Sequence, residues 1–77
     1  MIRIYADFNH CDEQYHVVLN TVGSLADIKK HSDALVEGMR VLLYVEDEFE
    51  VEGTLIFDKV WRAIPDYATL RYLNEEA

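Results

Sequence analysis

The chain has 77 residues, a length that suits one folded domain and is too short for two. Hydrophobic residues make up 51% of it, which is enough for a core and argues against intrinsic disorder. The 15 acidic and 7 basic residues give a formal net charge of −8, and a field of that sign repels nucleic-acid phosphates and anionic lipids. We therefore expect a single domain, residues 1–77, that binds neither nucleic acid nor membrane.

The cysteine content and the hydropathy pattern predict a cytoplasmic protein. Cys11 is the only cysteine, so no disulfide can form within the chain, which fits a reducing compartment. The first residues lack the basic start and the long apolar core of a signal peptide. The longest apolar run, residues 41–45, is too short to span a bilayer.

The first part of the chain predicts two strands. In residues 2–8, Ile, Ala and Phe alternate with Arg, Tyr and Asp, which is the period of a half-buried strand. Residues 15–20 alternate in a similar way after the polar, turn-prone residues 9–13. Two strands joined by a short polar loop indicate an antiparallel hairpin.

Residues 23–36 predict one helix of two or three turns. Ser24 is the expected N-cap, and Asp27 follows three residues later, where a capping box would place its acid. The apolar residues that fall near one helical face are Leu25, Ile28 and Leu35.

The second half of the chain returns to strand patterns. Residues 39–45 are strongly β-like, residues 46–48 form an acidic turn, and residues 49–57 alternate clearly. Gly53 occupies an apolar position of that alternation, which indicates a bulge, a bend or a close backbone approach.

The end of the chain predicts two more short strands. Residues 60–64 form the first, which must end or lie at an edge because Pro65 has no N–H to donate. Residues 67–73 form the second, and residues 74–77 should fray.

These elements predict a mainly β fold with one short helix, arranged as a small antiparallel barrel or a rolled sheet of five to six strands. In residues 37–57, a turn at Gly38 opens a hydrophobic strand, an acidic turn follows, and a second strand bends at Gly53. This pattern resembles the core hairpin of SH3-like small barrels and is found in short uncharacterised bacterial proteins. The resemblance implies a fold and transfers no functional residue.

The resemblance does not extend to peptide-binding SH3 domains. Those domains carry an aromatic-rich segment early in the chain and a Trp-Trp pair after the acidic loop. This chain has only Trp61, after a different turn, so recognition of proline-rich ligands is not implied. A three-stranded sheet packed on the helix is the alternative arrangement.

Apolar side chains on the faces opposite the expected core suggest a function. If they gather, they form an aromatic patch rimmed by charge, which is typical of protein interfaces. The alternative is a second small core, covered by the helix or by residues 68–73. Our leading hypothesis is a non-catalytic interaction module that docks a protein partner, or a second copy of itself, through a β face. The predicted partner-binding residues are Tyr5, Leu42, Tyr44, Ile56 and Trp61.

Two other functions compete with this hypothesis. A metal could bind the loop from His10 to His16, or the carboxylates of Glu50 and Glu52 on the acidic strand. Cys11 and a nearby histidine could also act as a nucleophile pair. We favour a polar loop and a solvated strand, and we assign no metal ligand, cofactor or catalytic residue.

The charge also permits a third function and raises the question of what the arginines do. The acidic surface could mimic nucleic acid and inhibit a basic protein. The arginines are expected to pair with glutamates across strands rather than to form a basic strip. They are Arg3, Arg40, Arg62 and Arg71.

Overall fold

The computed structural model describes residues 1–73, and the predicted fraying of residues 74–77 lies outside them. Six strands, one α-helix and one short 3₁₀-helix form within the described residues. In chain order they are β1 (Arg3–Tyr5), β2 (Val17–Val18), α1 (Val22–Lys30), β3 (Arg40–Val45), β4 (Phe49–Asp58), β5 (Val60–Pro65), the 3₁₀-helix (Tyr67–Thr69) and β6 (Arg71–Tyr72).

The strands make one sheet that curls into a half-barrel. Its strand order is β1-β3-β4-β5-β2, and β6 pairs with the first residues of β4. Strands β3, β4 and β5 form an antiparallel meander, as expected for consecutive strands joined by short turns. The predicted fold class, mainly β with one short helix, is confirmed.

The first two strands do not form the predicted hairpin. β1 lies at one edge of the sheet and pairs in parallel with β3, whereas β2 lies at the other edge and pairs with β5. Between them, residues 9–16 fold back on β2 through backbone bonds from Asp12 N to His16 O and from Val18 N to His10 O, each 2.9 Å. Alternation identifies a strand, but it carries no information about the partner of that strand.

The helix begins earlier than predicted and presents a different face to the core. Its N-cap is Thr21, whose hydroxyl accepts a hydrogen bond from Ser24 N. Ser24, the predicted cap, is instead fully buried, and its hydroxyl donates to Tyr5 O. Leu25 is exposed, while Ile28 packs against the core. No helix within residues 1–73 is long and apolar enough to cross a membrane.

The core occupies the inner side of the half-barrel. Its residues come from alternate positions of the strands and of the segments that extend them, as the period of two requires. The fully buried apolar side chains are Ile4, Ala6, Val17, Leu19, Val41, Leu43, Val51, Leu55 and Ala63.

Gly53 allows β3 and β5 to approach β4 closely. It lies at a core position of β4, opposite Val41 on β3 and Pro65 on β5. A Cβ atom at this position would lie 2.9 Å from Leu43 Cδ1 and 3.1 Å from the backbone oxygen of Ile64. The expected close approach is therefore confirmed, and one of the atoms that lie against Gly53 is the backbone oxygen of Ile64.

We predict that Gly53→Ala lowers the free energy of unfolding by roughly 1–3 kcal/mol, the usual cost of overpacking a core. Urea denaturation measures the loss. Thr54→Ala, on the solvent side of the same strand, is the control and should cost less than about 1 kcal/mol. Equal losses in the two variants would contradict the close approach.

Candidate partner-binding site

The side of the sheet opposite the core, called the outer face below, carries the predicted partner-binding region. Pairing of the strands places its side chains in rows that cross the sheet. The outer face consists of Arg3, Tyr5, Val18, Arg40, Leu42, Tyr44, Glu50, Glu52, Thr54, Ile56, Arg62 and Ile64.

Four of the five predicted partner-binding residues lie on the outer face, and Trp61 does not. Tyr5 lies opposite Tyr44, with Leu42 two residues before Tyr44, while Ile56 lies farther along the sheet on β4. Trp61 shares the face of Ala63, packs against the core, and contacts Phe57 edge-on with the ring centres 5.1 Å apart. All five side chains are half-buried rather than exposed.

The two tyrosines are held by the helix. The Tyr5 and Tyr44 rings meet edge to face, with centres 6.0 Å apart. The Tyr44 hydroxyl donates to Asp27 Oδ2 at 2.8 Å, and the same oxygen accepts the Tyr5 backbone N–H at 2.8 Å. Gly23 lies against the Tyr5 ring so closely that a Cβ there would be 2.7 Å from Tyr5 Cδ2. This part of the outer face is thus partly covered by α1, in line with the alternative interpretation of a second small core.

The hydrogen bond to Asp27 also affects the ionisation of Tyr44. Donation by the neutral hydroxyl to a carboxylate, together with burial, raises the pKa of Tyr44 above its ordinary value of 10.0. The guanidinium of Arg3 lies over the same ring, 4.3 Å from its centre, in cation–π geometry. The Tyr44 side chain therefore contacts both the carboxylate of Asp27 on α1 and the guanidinium of Arg3 on β1.

Every arginine of the chain pairs with a carboxylate, and three of the four pair with a glutamate as expected, while Arg62 pairs with an aspartate of the loop before β2. Arg3 lies 4.0 Å from Glu50, and Arg71 of β6 binds Glu50 more closely. Arg40 donates to Glu52 at 2.9 Å and to Asp66 at 3.1 Å. Arg62 donates to Asp12 at 2.9 Å. Glu50 and Glu52 are therefore engaged by arginine, and the outer face carries alternating charges rather than a basic strip.

The most open apolar part of the outer face was not singled out from the sequence. Ile64 of β5 is 41% exposed and lies opposite Thr54, one row from Ile56. Arg62, opposite Ile56, borders the pair. The alternation of residues 60–64 is the signal that could have placed Ile64 opposite the core.

The loop from His10 to His16 holds its polar side chains locally. His10 Nε2 lies 2.6 Å from Asn20 Oδ1, and His16 Nδ1 lies 3.5 Å from Asp12 Oδ2. Burial acts to raise the pKa of Asp12, but hydrogen bonds from His16 N, Arg62 and Gln14 N outweigh it and lower the pKa. No group of three or more His, Cys, Asp or Glu side chains in residues 1–73 could hold a metal ion.

The Cys11 thiol is poorly suited to be a nucleophile. Burial, with the charges of Asp12 and Asp7, raises the pKa of Cys11, so less thiolate is present at neutral pH. Its Sγ donates to the backbone oxygen of Phe8 at 3.3 Å. Cys11 is therefore an exposed free thiol in a polar loop.

A second aromatic group extends the core towards the 3₁₀-helix. Phe8 and Phe49 contact each other with ring centres 5.1 Å apart. Tyr67 packs on Phe8 at 6.4 Å, and Tyr72 packs on Phe49 at 6.2 Å, while both tyrosines stay exposed. Phe8 and Phe49 lie on the apolar side of the alternations in residues 2–8 and 49–57, as the sequence pattern predicts.

Comparison with protein-family models, with curated proteins and with solved structures found no match to this chain.

We predict that Asp27→Asn lowers the pKa of Tyr44 towards its ordinary value, because the charged acceptor of the hydroxyl is lost. A pH titration followed by NMR of the tyrosine ring carbons measures the shift. Asp33→Asn removes the same charge just beyond α1 and should leave Tyr44 unchanged. Equal shifts in both variants would contradict a role for the hydrogen bond.

The same pKa shift predicts how stability depends on alkaline pH. Because folding raises the pKa of Tyr44, its contribution is present below the ordinary value of 10.0 and is lost as pH rises through the folded value. The unfolding free energy of the wild-type protein should therefore fall more steeply above that pH than that of Tyr44→Phe.

Proposed function

We propose that this protein is a non-catalytic interaction module that docks a protein partner, or a second copy of itself, through the outer face. The observation that carries the proposal is the apolar pair of exposed Ile64 and half-buried Ile56 beside Thr54, bordered by the ion pairs of Arg40 and Arg62. An apolar centre with a charged rim that includes arginine is the usual composition of a protein interface. Burial of this centre supplies about 25 cal/mol per Å² of apolar surface.

The covered edges of the sheet favour docking through the face. At β1, the Tyr5 N–H donates to Asp27 and the Tyr5 oxygen accepts from Ser24, so α1 occupies this edge. At β2, residues 9–16 occupy the other edge through their backbone bonds. A partner strand at either of these two edges would have to displace the covering segment, whereas the outer face requires no such rearrangement.

The ion pairs of the outer face support a specific docking orientation. Arg40 bridges Glu52 on β4 and Asp66 before the 3₁₀-helix, so its guanidinium is held in one position. These carboxylates raise the pKa of Arg40, which stays charged at all physiological pH values. Fixed charges of both signs beside an apolar centre attract the partner's charges in one orientation and repel them in others, so one orientation binds most tightly.

We also propose that the half-barrel is an SH3-like small barrel of the kind found in short uncharacterised bacterial proteins, and that it works in the cytoplasm. The β3-β4-β5 meander, followed by a 3₁₀-helix and the short strand β6, supports this fold relationship. The single cysteine supports a reducing compartment.

The partner can be identified with a photo-crosslinking amino acid at Thr54, at the centre of the outer face. Mass spectrometry of the cross-linked product names the partner, and light scattering at several protein concentrations shows whether it is a second copy. A crosslinker at Val36, which is exposed in the loop before β3, is the control and should not capture the same product.

We predict that Ile64→Lys weakens binding to the identified partner at least about tenfold, since a lysine at the apolar centre must be desolvated. Val36→Lys makes the same change from a β-branched apolar residue to lysine at an exposed site away from the outer face. Calorimetry on the purified complex measures both affinities, and circular dichroism checks the folding of both variants. The proposal fails if Ile64→Lys and Val36→Lys bind equally well.

A further inference from the structure

A cleft of about 580 Å³ lies beside the outer face, between the end of α1, the start of β1 and strand β3. Met1, Ile2 and Met39 supply its apolar lining. The polar side chains that line it are Arg3, Asp27, Lys30, His31, Arg40 and Tyr44. The volume falls within the roughly 300–1,000 Å³ that is usual for small-ligand sites.

The charge of the cleft is opposite to that of the whole protein. Arg3 and Lys30 bring positive charge to the lining, against the one lining carboxylate, Asp27, although the chain has a formal net charge of −8. Arg40 also lines the cleft, but its charge is balanced by Glu52 and Asp66. At physiological ionic strength, charges are screened over about 8 Å, so a ligand in the cleft senses the lining more than the distant surface. The charged lining therefore attracts an anion into the cleft.

The one carboxylate of the cleft is already engaged. Asp27 Oδ2 accepts two hydrogen bonds, from Tyr5 N and from the Tyr44 hydroxyl. These hydrogen bonds direct the carboxylate towards the two tyrosines, and within residues 1–73 it forms no ion pair with Arg3 or Lys30.

Arg3 and Lys30 have donors to offer a ligand. The Arg3 guanidinium lies over the Tyr44 ring and contacts Glu50 Oε2 only at 4.0 Å, while Arg71 binds Oε1 of the same carboxylate. Its planar fork is therefore oriented by the ring and makes only a long ion-pair contact. Lys30 is exposed and forms no ion pair with any side chain of residues 1–73.

We propose that this cleft binds a small anionic ligand, whose phosphate or carboxylate group is held between the guanidinium of Arg3 and the ammonium of Lys30. Charge-assisted hydrogen bonds from two such donors are the usual means of holding either group. The apolar lining from Met1, Ile2 and Met39 would accommodate a short carbon skeleton. This site is separate from the apolar docking centre at Ile64 and does not depend on it.

The test is a titration of the ¹⁵N-labelled protein with inorganic phosphate and with succinate, at constant ionic strength. We expect saturable shifts of the amide signals of Arg3, Lys30 and Tyr44, with the Ile64 signal unchanged. A peptide of glutamates, titrated in parallel, distinguishes a free small anion from an acidic protein segment. Tighter binding of the peptide than of both small anions would overturn the proposal.

Two neighbouring lysines of α1 provide a matched control. Lys30→Gln should weaken binding of the better small anion by about tenfold, the effect of losing one charge-assisted bond. Lys29→Gln makes the same change one residue earlier, at an exposed position that does not line the cleft, and should leave affinity within about twofold. Equal weakening in both variants would show general electrostatic attraction and overturn the site.

Arg3→Lys tests the geometry of the guanidinium. It keeps the charge but removes the planar fork, so affinity should fall by about threefold to tenfold if two oxygens of the ligand are held together. Unchanged affinity in both Arg3→Lys and Lys30→Gln would place the anion elsewhere and overturn the proposal. Ile64→Lys, which tests partner docking, should leave anion binding unchanged, so the two proposals can fail separately.

Discussion

The carboxylate of Asp27 joins the helix to two strands of the sheet, and the arrangement of the outer face depends on this contact. One of its oxygens accepts the backbone N–H of Tyr5 on β1 and the hydroxyl of Tyr44 on β3. With the buried hydroxyl of Ser24 on the Tyr5 oxygen, it places α1 along the open edge of β1. The open edge is thereby satisfied by side chains, which removes a site where another strand could pair.

That attachment divides the outer face into two parts. Near α1, Tyr5 and Tyr44 are partly covered, and Arg3 is stacked on Tyr44 at the mouth of a cationic cleft. Towards β5, Ile56 and Ile64 remain open beside Thr54. The two parts have different chemistry, since one offers charge and oriented donors while the other offers apolar area. We therefore propose that the part near α1 binds an anion and that the part towards β5 docks a partner.

The arginines show how an acidic chain can carry localised positive charge. Glu50 and Glu52 receive Arg71 and Arg40, so the acidic strand is neutralised on the outer face. Arg3 contacts Glu50 only at 4.0 Å, so its guanidinium is oriented over Tyr44 but loosely paired. The ion pairs therefore neutralise Glu50 and Glu52 and leave the Arg3 guanidinium accessible, although the formal net charge of the chain is −8.

The sequence by itself determined the elements and the core side of most of them. The period of two in β3 and β4 and the position of Gly53 follow from local spacing, and the structure agrees. Only the tertiary structure decided that β1 pairs with β3 in parallel and that α1 begins after Thr21. Strand partners and helix attachment arise from contacts between residues far apart in the chain, such as Asp27 with Tyr44, and side-chain periodicity carries no record of them. For the same reason, the sequence grouped Trp61 with the tyrosines, while the curl of the sheet placed it on the core side.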